Sequence, residues 1–253
     1  MIHRSGVEKD LDAAIARLYE TFSSYKLRPR IEGCPCCVGK KRERRLHTHS
    51  LRQLTTQDLS SYSQKALTTW GDEYDFKHFL PRIFELCARN QEFDIEIVFG
   101  KLAYGGWRSW SFKEQAAIEQ YFISAWNEIL NSEPRSDEDA DSWLCAIAQS
   151  VDDLEPYLKL WQQNISLFPV QHLSNLYLAN AEDLITKRAL SNPFWEERAP
   201  QMQQVVAWIS SDETFAAFNN ALDSSPSDEL AHDLVLLVHL GLRPLREAYL
   251  FSS

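Results

Sequence analysis

The sequence has little glycine and lacks the short motifs of several common enzyme classes. It holds eight glycines in 253 residues, which leaves few flexible loops for enclosing a ligand. The phosphate-binding and dinucleotide-binding patterns G-x-x-x-x-G-K-[ST] and G-x-G-x-x-G are absent, as are G-x-S-x-G and H-E-x-x-H. These absences argue against a P-loop nucleotide enzyme, a Rossmann dehydrogenase, an α/β-hydrolase and a zinc metalloprotease.

The sequence also lacks a long apolar run and a paired set of cysteines. Its most apolar stretch, residues 234–242, is interrupted by His239 and is about half as long as a membrane-spanning helix. The N-terminus has no apolar segment typical of a secretory signal. Five cysteines is an odd number, and three crowd together as Cys34, Cys36 and Cys37. We therefore expect reduced thiols, no membrane span and a cytoplasmic location.

Charge is distributed unevenly along the chain. The formal net charge is -10, yet residues 1–52 contain 12 Lys/Arg against 6 Asp/Glu, and the remainder contains 14 against 30. An acidic body disfavours nucleic acids and anionic membranes and suits a cationic protein partner. The basic N-terminal fifth is the exception.

Apolar residues recur at helical spacing along most of the chain. The clearest case is residues 111–130, where Ser111 and Glu114 match a capping box before an apolar stripe. Residues 11–22 show the same one-sided spacing. Breakers such as Ser191-Asn192-Pro193 separate the later segments. The pattern predicts an all-α protein, either a multi-helix bundle or an irregular α-solenoid of antiparallel helix pairs.

The polar segment 131–140 is the best linker candidate. It divides the chain into an N-terminal helical region, residues 1–130, and a C-terminal one, residues 141–253, unless both form one continuous domain. Residues 25–52 lie inside the first region and break its helical pattern, which predicts one irregular Cys/His-rich basic loop.

Two segments allow more than one secondary structure. Residues 93–99 alternate like a strand but also fit a helix, and we favour the helix because a lone strand has no backbone partners. Pro81 lies inside the helical pattern of residues 74–88. An interior proline removes a hydrogen bond, so the helix either kinks there or begins near Leu80.

The irregular loop contains possible zinc ligands. Cys34, Cys36 and Cys37 are followed by His47 and His49, and thiolate and imidazole are the side chains that zinc prefers. The spacing differs from that of common structural zinc sites, where paired cysteines lie two to four residues apart. Zinc binding is therefore one hypothesis, and cysteines that merely anchor the loop to the helical body are the alternative.

Redox chemistry and nucleic-acid binding are two further interpretations of this loop. Cys34 and Cys37 match C-x-x-C, and nearby Lys and Arg side chains would favour the reactive thiolate. The basic run of residues 40–45 could contact phosphates. The acidic body and the lack of interleaved aromatic residues make nucleic acid an unfavoured partner.

A weak catalytic candidate lies further along the chain. Asp75, His78 and Arg82 are spaced to share one helix face, as an oriented histidine base requires. No nucleophile or second acid accompanies them. The alternative is that Asp75 stabilises a helix N-terminus while His78 and Arg82 tie loops together.

Several other residues have structural interpretations. Trp107 and Trp110 could form an exposed anchor for a partner, but two tryptophans more often close over a core. His172, His232 and His239 lie on helical patterns and are interpreted as partly buried structural residues. Residues 230–242 are apolar nearly all round, which predicts a helix buried on most sides.

The segments GCPCC (residues 33–37) and DFKHFLPRIFEL (residues 75–86) resemble a group of uncharacterised bacterial proteins. The resemblance covers about residues 30–115. It implies a bacterial cytoplasmic origin and carries no activity, cofactor or functional residue.

Three hypotheses of function follow from the sequence. The leading one is a non-enzymatic protein-interaction protein without a cofactor, for example an immunity or inhibitor protein that binds a bacterial toxin. The second is a zinc-binding or nucleic-acid-linked regulator that uses the segment from Cys34 to His49. The third is an enzyme centred on His78.

Overall fold

The computed structural model describes residues 6–34, 36, 38–90, 93–136, 139–223 and 228–250. These residues form helices and connecting turns and contain no strand, which confirms the predicted all-α fold. Isolated bridges join Trp70 to Gly33 and to Ala66. None of the helices in these ranges is both long and apolar enough to cross a membrane.

The chain divides into two compact units, Met1–Ala125 and Trp126–Ser253. The division falls inside a helix, a few residues before the predicted linker at 131–140. The first unit contains α1 (Gly6–Thr21), α2 (Lys40–Arg45), α3 (Thr56–Lys65), α4 (Glu73–Asn90), α5 (Ile95–Tyr104) and most of α6 (Phe112–Leu130). The second contains α7 (Asp139–Ala148), α8 (Glu155–Gln163), α9 (Leu167–Lys187), α10 (Ala199–Ile209), α11 (Asp212–Asp223), α12 (Asp228–Leu236), a π-helical turn (Leu237–Leu242) and α13 (Arg243–Leu250).

The predicted capping box begins α6. The backbone N–H of Glu114 donates to Ser111 Oγ at 3.4 Å, and the N–H of Ser111 donates to Glu114 Oε2 at 2.9 Å. Each side chain thus satisfies a backbone N–H that has no acceptor within the helix. The prediction of this helix from its first residues is confirmed.

The two ambiguous segments are both helical. Residues 95–104 form α5, which confirms the preference for helix over strand. α4 runs from Glu73 to Asn90 with Pro81 inside it, so the alternative start near Leu80 is wrong. Phe79, Leu80 and Ile83 are fully buried around the proline, and burial of this kind offsets the backbone hydrogen bond that Pro81 cannot donate.

In the segment 25–52 the described residues up to Gly39 are irregular, as predicted. Lys40–Arg45 form α2 and Leu51–Gln53 a short 3-10 turn, so the prediction of an irregular loop is wrong for these residues. Trp107 and Trp110 are 1% and 6% exposed. They close over the core of the N-terminal unit, which confirms the structural interpretation over an exposed anchor pair.

Buried aromatic rings form the core of each unit. In the N-terminal unit Phe84 packs against Tyr121 and Phe99, with ring centroids 4.8 and 5.2 Å away. In the C-terminal unit Trp161 packs between Trp126 and Trp208, each 5.3 Å from it. These ring pairs have the tilted and edge-to-face geometries that aromatic quadrupoles favour.

His172 is a structural residue, as predicted, but His232 and His239 are exposed, so the prediction is wrong for those two. His172 is 2% exposed, and its Nε2 lies 2.9 Å from the Ile129 carbonyl oxygen. Burial lowers the pKa of His172, because the surrounding core disfavours the charged ring.

Acidification is expected to destabilise the C-terminal unit through His172. The unfolded chain binds a proton near the usual pKa of about 6.5, whereas the folded ring binds it at lower pH. Stability is therefore lost as pH falls below about 6.5, with a slope of up to about 1.4 kcal/mol per pH unit. Denaturant unfolding followed by circular dichroism from pH 7.5 to 5 measures this slope. His172→Gln should flatten it, and an unchanged slope would contradict the assignment.

Candidate functional site

A groove between α9 and the segment formed by α12 and the π-helical turn is the best candidate for a functional site. It has a volume of about 460 Å³, within the range of known binding pockets. Its lining is mostly apolar and includes leucines, one tyrosine and one proline. We call it the leucine groove, and it is lined by Glu133, Pro134, Gln171, Ser174, Asn175, Tyr177, Leu178, Asp233, Leu236, Leu237, Leu240 and Gly241.

Three leucines on the groove are unusually exposed. Leu178 is 70% exposed, Leu240 67% and Leu236 42%. Full burial of a leucine side chain contributes about 1.5–3 kcal/mol, and each of these leucines forgoes part of it. Exposed apolar surface of this kind marks interaction sites in folded proteins. The prediction that residues 230–242 are buried on most sides is wrong for this face, because no described segment covers it.

The π-helical turn and a glycine shape the groove. A π-helical turn holds more residues than an α-helical one, so it shifts the side chains that follow out of the α-helical stripe, and such turns are common at functional sites. Gly241 lies in this turn directly against Tyr177. A Cβ at Gly241 would lie 3.2 Å from Tyr177 Cδ1, so a larger residue would push this turn away from α9.

The polar side chains of the groove are acidic or neutral. The carboxylates are those of Glu133 and Asp233, and Gln171 Nε2 donates to Asp233 Oδ2 at 2.9 Å. Among the described residues that line the groove there is no lysine or arginine. Ser174 Oγ is buried there without a hydrogen-bond partner in the described part of the chain. An unpaired buried hydroxyl is costly, and a ligand group that reached it would remove that cost.

The unit that holds the groove is strongly acidic. Residues 126–253 contain 7 Lys/Arg against 20 Asp/Glu, whereas residues 1–125 contain 19 against 16. The acidic body predicted from the sequence is thus concentrated in the C-terminal unit. Its field attracts cationic partners and repels polyanions.

The structure brings together two of the five residues in the zinc hypothesis. Cys34 Sγ and Cys36 Sγ lie 2.7 Å apart, while His47 and His49 are exposed. Cys37 lies outside the described residues. No group of three or more metal-binding side chains occurs in the described ranges, so His47 and His49 do not join the two sulfurs there. Zinc binding stays a prediction.

The basic run of the nucleic-acid hypothesis is the short helix α2. Arg42 and Arg44 are exposed, and Arg45 Nη1 lies 3.5 Å from the Gln57 carbonyl oxygen on α3. This contact holds α2 against its own unit. Nucleic-acid binding by this run stays a prediction.

His78 lies on α4 and holds the chain that leaves α1. Its Nδ1 is 2.9 Å from the Tyr25 carbonyl oxygen, and its ring meets Phe79 edge-on. Burial lowers the pKa of His78, which keeps the ring neutral at pH 7.

Asp75 and Arg82 have partners of their own on α4. Asp75 Oδ2 accepts from the Asp72 backbone N–H at 3.2 Å and from Arg28 at 3.4 Å, and burial raises the pKa of this carboxyl. Arg82 Nε donates to the Leu54 carbonyl oxygen at 2.7 Å. The contacts of these side chains and of His78 tie separate loops to one helix, and catalysis by them stays a prediction.

No protein-family model, curated protein or solved structure matches this chain. The geometry of the described residues therefore carries the functional argument. The leucine groove was not predicted from the sequence, although two signals were present. Residues 230–242 are more apolar than a one-sided helix requires, and Leu178 falls beside the apolar stripe of α9 rather than on it.

Proposed function

We propose that this protein is a non-enzymatic protein-binding protein whose leucine groove accepts a basic amphipathic helix of its partner. The observation that carries the proposal is the exposure of Leu178 and Leu240 on an acidic groove. Neutralisation of a basic bacterial toxin by an immunity or inhibitor protein is a role of this kind. In that role the groove would cover a basic helix that the toxin needs.

A macromolecular partner fits the groove better than a small molecule. The two most exposed leucines line the groove and are 70% and 67% exposed, so most of their apolar surface is available to a partner. Helix-in-groove recognition uses apolar anchors at successive turns of an amphipathic helix. Lysine or arginine on the flanks of that helix would meet Glu133 and Asp233, and long-range attraction by the acidic unit would speed association.

Binding of a model peptide tests the proposal. The probe is a fluorescent leucine-lysine peptide of about 18 residues, five helical turns, with leucines on one face. Fluorescence anisotropy should detect binding that weakens as salt rises. A scrambled peptide of the same composition and a leucine-glutamate peptide should bind much more weakly. Equal binding of all three would contradict recognition of a basic amphipathic helix.

Variants locate the binding. The double variant Leu178→Lys/Leu240→Lys should bind the leucine-lysine peptide about 100-fold more weakly. Two apolar contacts are lost, and the new lysines repel the lysines of the peptide. Ile185→Lys is the matched control, because Ile185 is 44% exposed on the same helix but outside the groove. Phe112→Lys, in the other unit, is a second control. An equal loss of peptide affinity in all these variants would show that the added positive charge, and not the groove, causes the weaker binding.

A further inference from the structure

Cys34 and Cys36 form a pair of thiol side chains in contact, outside the leucine groove. Their sulfurs are in close contact, 2.7 Å apart. The sequence pattern C-x-x-C predicts a pairing of Cys34 with Cys37, which lies outside the described residues. Among the described residues, the contact of Cys34 is with Cys36.

The backbone around the pair is anchored on both sides. The N–H of Cys34 donates to the Thr69 carbonyl oxygen at 2.9 Å, and the Cys34 carbonyl oxygen accepts from the Val38 N–H at 2.9 Å. Gly33 bridges to Trp70, and a Cβ at Gly33 would lie 2.9 Å from Val38 Cγ2. The backbone of Cys34 is therefore fixed at both its N–H and its carbonyl oxygen, and we expect its sulfur to react with Cys36 without unfolding of the unit.

The surroundings of the pair favour thiol chemistry. Cys36 is exposed and Cys34 partly exposed, whereas Cys87 and Cys145 are buried. A hollow of about 610 Å³ beside the turn is lined by Arg30, Ile31, Gly33, Val38, Gly39, Glu43 and Arg44. Two guanidinium groups against one carboxylate make this hollow net positive, and positive surroundings favour the nucleophilic thiolate.

We propose that Cys34 and Cys36 are a reversible redox pair that is oxidised by small-molecule disulfides. The Cys36 thiolate attacks the disulfide RSSR, which forms a Cys36–SR bond and releases RS⁻. The Cys34 thiolate then attacks Cys36 Sγ, forms the Cys34–Cys36 disulfide and releases the second RS⁻. Two protein thiols lose two electrons and two protons, and RSSR is reduced to two RSH.

Counting thiols in the full chain tests the proposal. The reduced protein is incubated with glutathione disulfide at pH 7, quenched with acid, unfolded and alkylated, and its mass is measured. In the wild type, the number of alkylated cysteines should fall from five to three, and no glutathione should be attached to the protein. Excess reduced glutathione should restore five. A wild type that keeps five under oxidising conditions would overturn the proposal.

Serine variants identify the pair. Cys37→Ser should fall from four alkylated cysteines to two, because Cys34 and Cys36 remain. Oxidation of Cys34→Ser or of Cys36→Ser should not remove two thiols, because each variant lacks one member of the pair. Circular dichroism checks that both variants are folded. A two-thiol loss that survives in Cys36→Ser but not in Cys37→Ser would show that Cys34 pairs with Cys37 instead. None of these readouts depends on the leucine groove.

Discussion

Replacing Lys77 with methionine is expected to destabilise the N-terminal unit by about 3–5 kcal/mol, because it leaves a buried carboxylate without its cation. Lys77 is 5% exposed, and its Nζ lies 3.2 Å from Glu114 and 2.8 Å from Glu73. It also lies 4.2 Å from the ring centre of Trp110. Burial alone would lower the pKa of Lys77, but the hydrogen bonds to Glu73 and Glu114 raise it.

The partner of Lys77 makes this ion pair hard to replace. Glu114 also accepts from Tyr25 at 2.7 Å and completes the cap of α6. Burial would raise the pKa of Glu114, but the hydrogen bonds from Tyr25 and Ser111 lower it. Removing Lys77 leaves the hydrogen bonds from Tyr25 and Ser111 in place but takes away the neighbouring cation, so the expected cost is that of an uncompensated buried charge.

Denaturant unfolding followed by circular dichroism measures the effect of Lys77→Met. Lys159→Met is the matched control, since Lys159 pairs with Glu155 one helical turn away and both side chains are mostly exposed. The control should unfold as the wild type does, because exposed ion pairs contribute little. Adding Glu114→Gln to Lys77→Met should recover part of the loss. Equal unfolding midpoints for Lys77→Met and Lys159→Met would contradict the explanation that an uncompensated buried charge destabilises the unit.

Replacing Trp161 with alanine is expected to cost about 3–5 kcal/mol in the C-terminal unit, the range for removing a large buried ring. Trp161 is fully buried between Trp126 and Trp208. Its Nε1 donates to the Pro169 carbonyl oxygen at 2.9 Å. The substitution removes ring contacts on both sides and the hydrogen bond that Trp161 donates to Pro169.

Trp161→Phe separates these two contributions. Phenylalanine keeps most of the ring packing but cannot donate to Pro169, so the expected loss is about 1–3 kcal/mol. Trp208→Ala removes a partly exposed neighbour and should cost less than Trp161→Ala. Urea unfolding monitored by circular dichroism gives all three values. A larger loss in Trp208→Ala than in Trp161→Ala would contradict the central position of Trp161.

Much of the fold could be predicted because its signals are local. The cap formed by Ser111 and Glu114 links residues three apart, and the apolar stripe of a helix repeats every three or four residues. Pro81 shows where local rules fail. An interior proline disfavours a helix by about 3 kcal/mol, yet α4 continues through it because the side chains on both sides are buried.

The candidate sites were harder to predict because they depend on direction and on distant partners. Sequence spacing placed Cys34, Cys36, His47 and His49 in one segment, but it did not tell which way each side chain points. The structure brings the first two together and leaves the histidines exposed. The leucine groove depends on how α9 meets the π-helical turn, and more than 50 residues separate Leu178 from Leu240 along the chain.

The sequence by itself determined the helices, their caps and the acidic charge of the chain, because these depend on residues a few positions apart and on composition. The tertiary structure decided which leucines stay exposed and which cysteines face each other. It also decided that Asp75 and His78 hold the segment after α1, whereas Arg82 holds the loop before α3. The physical reason is that burial and contact depend on neighbours far away along the chain. An apolar residue is recognisable from its sequence, but only packing shows whether another segment covers it.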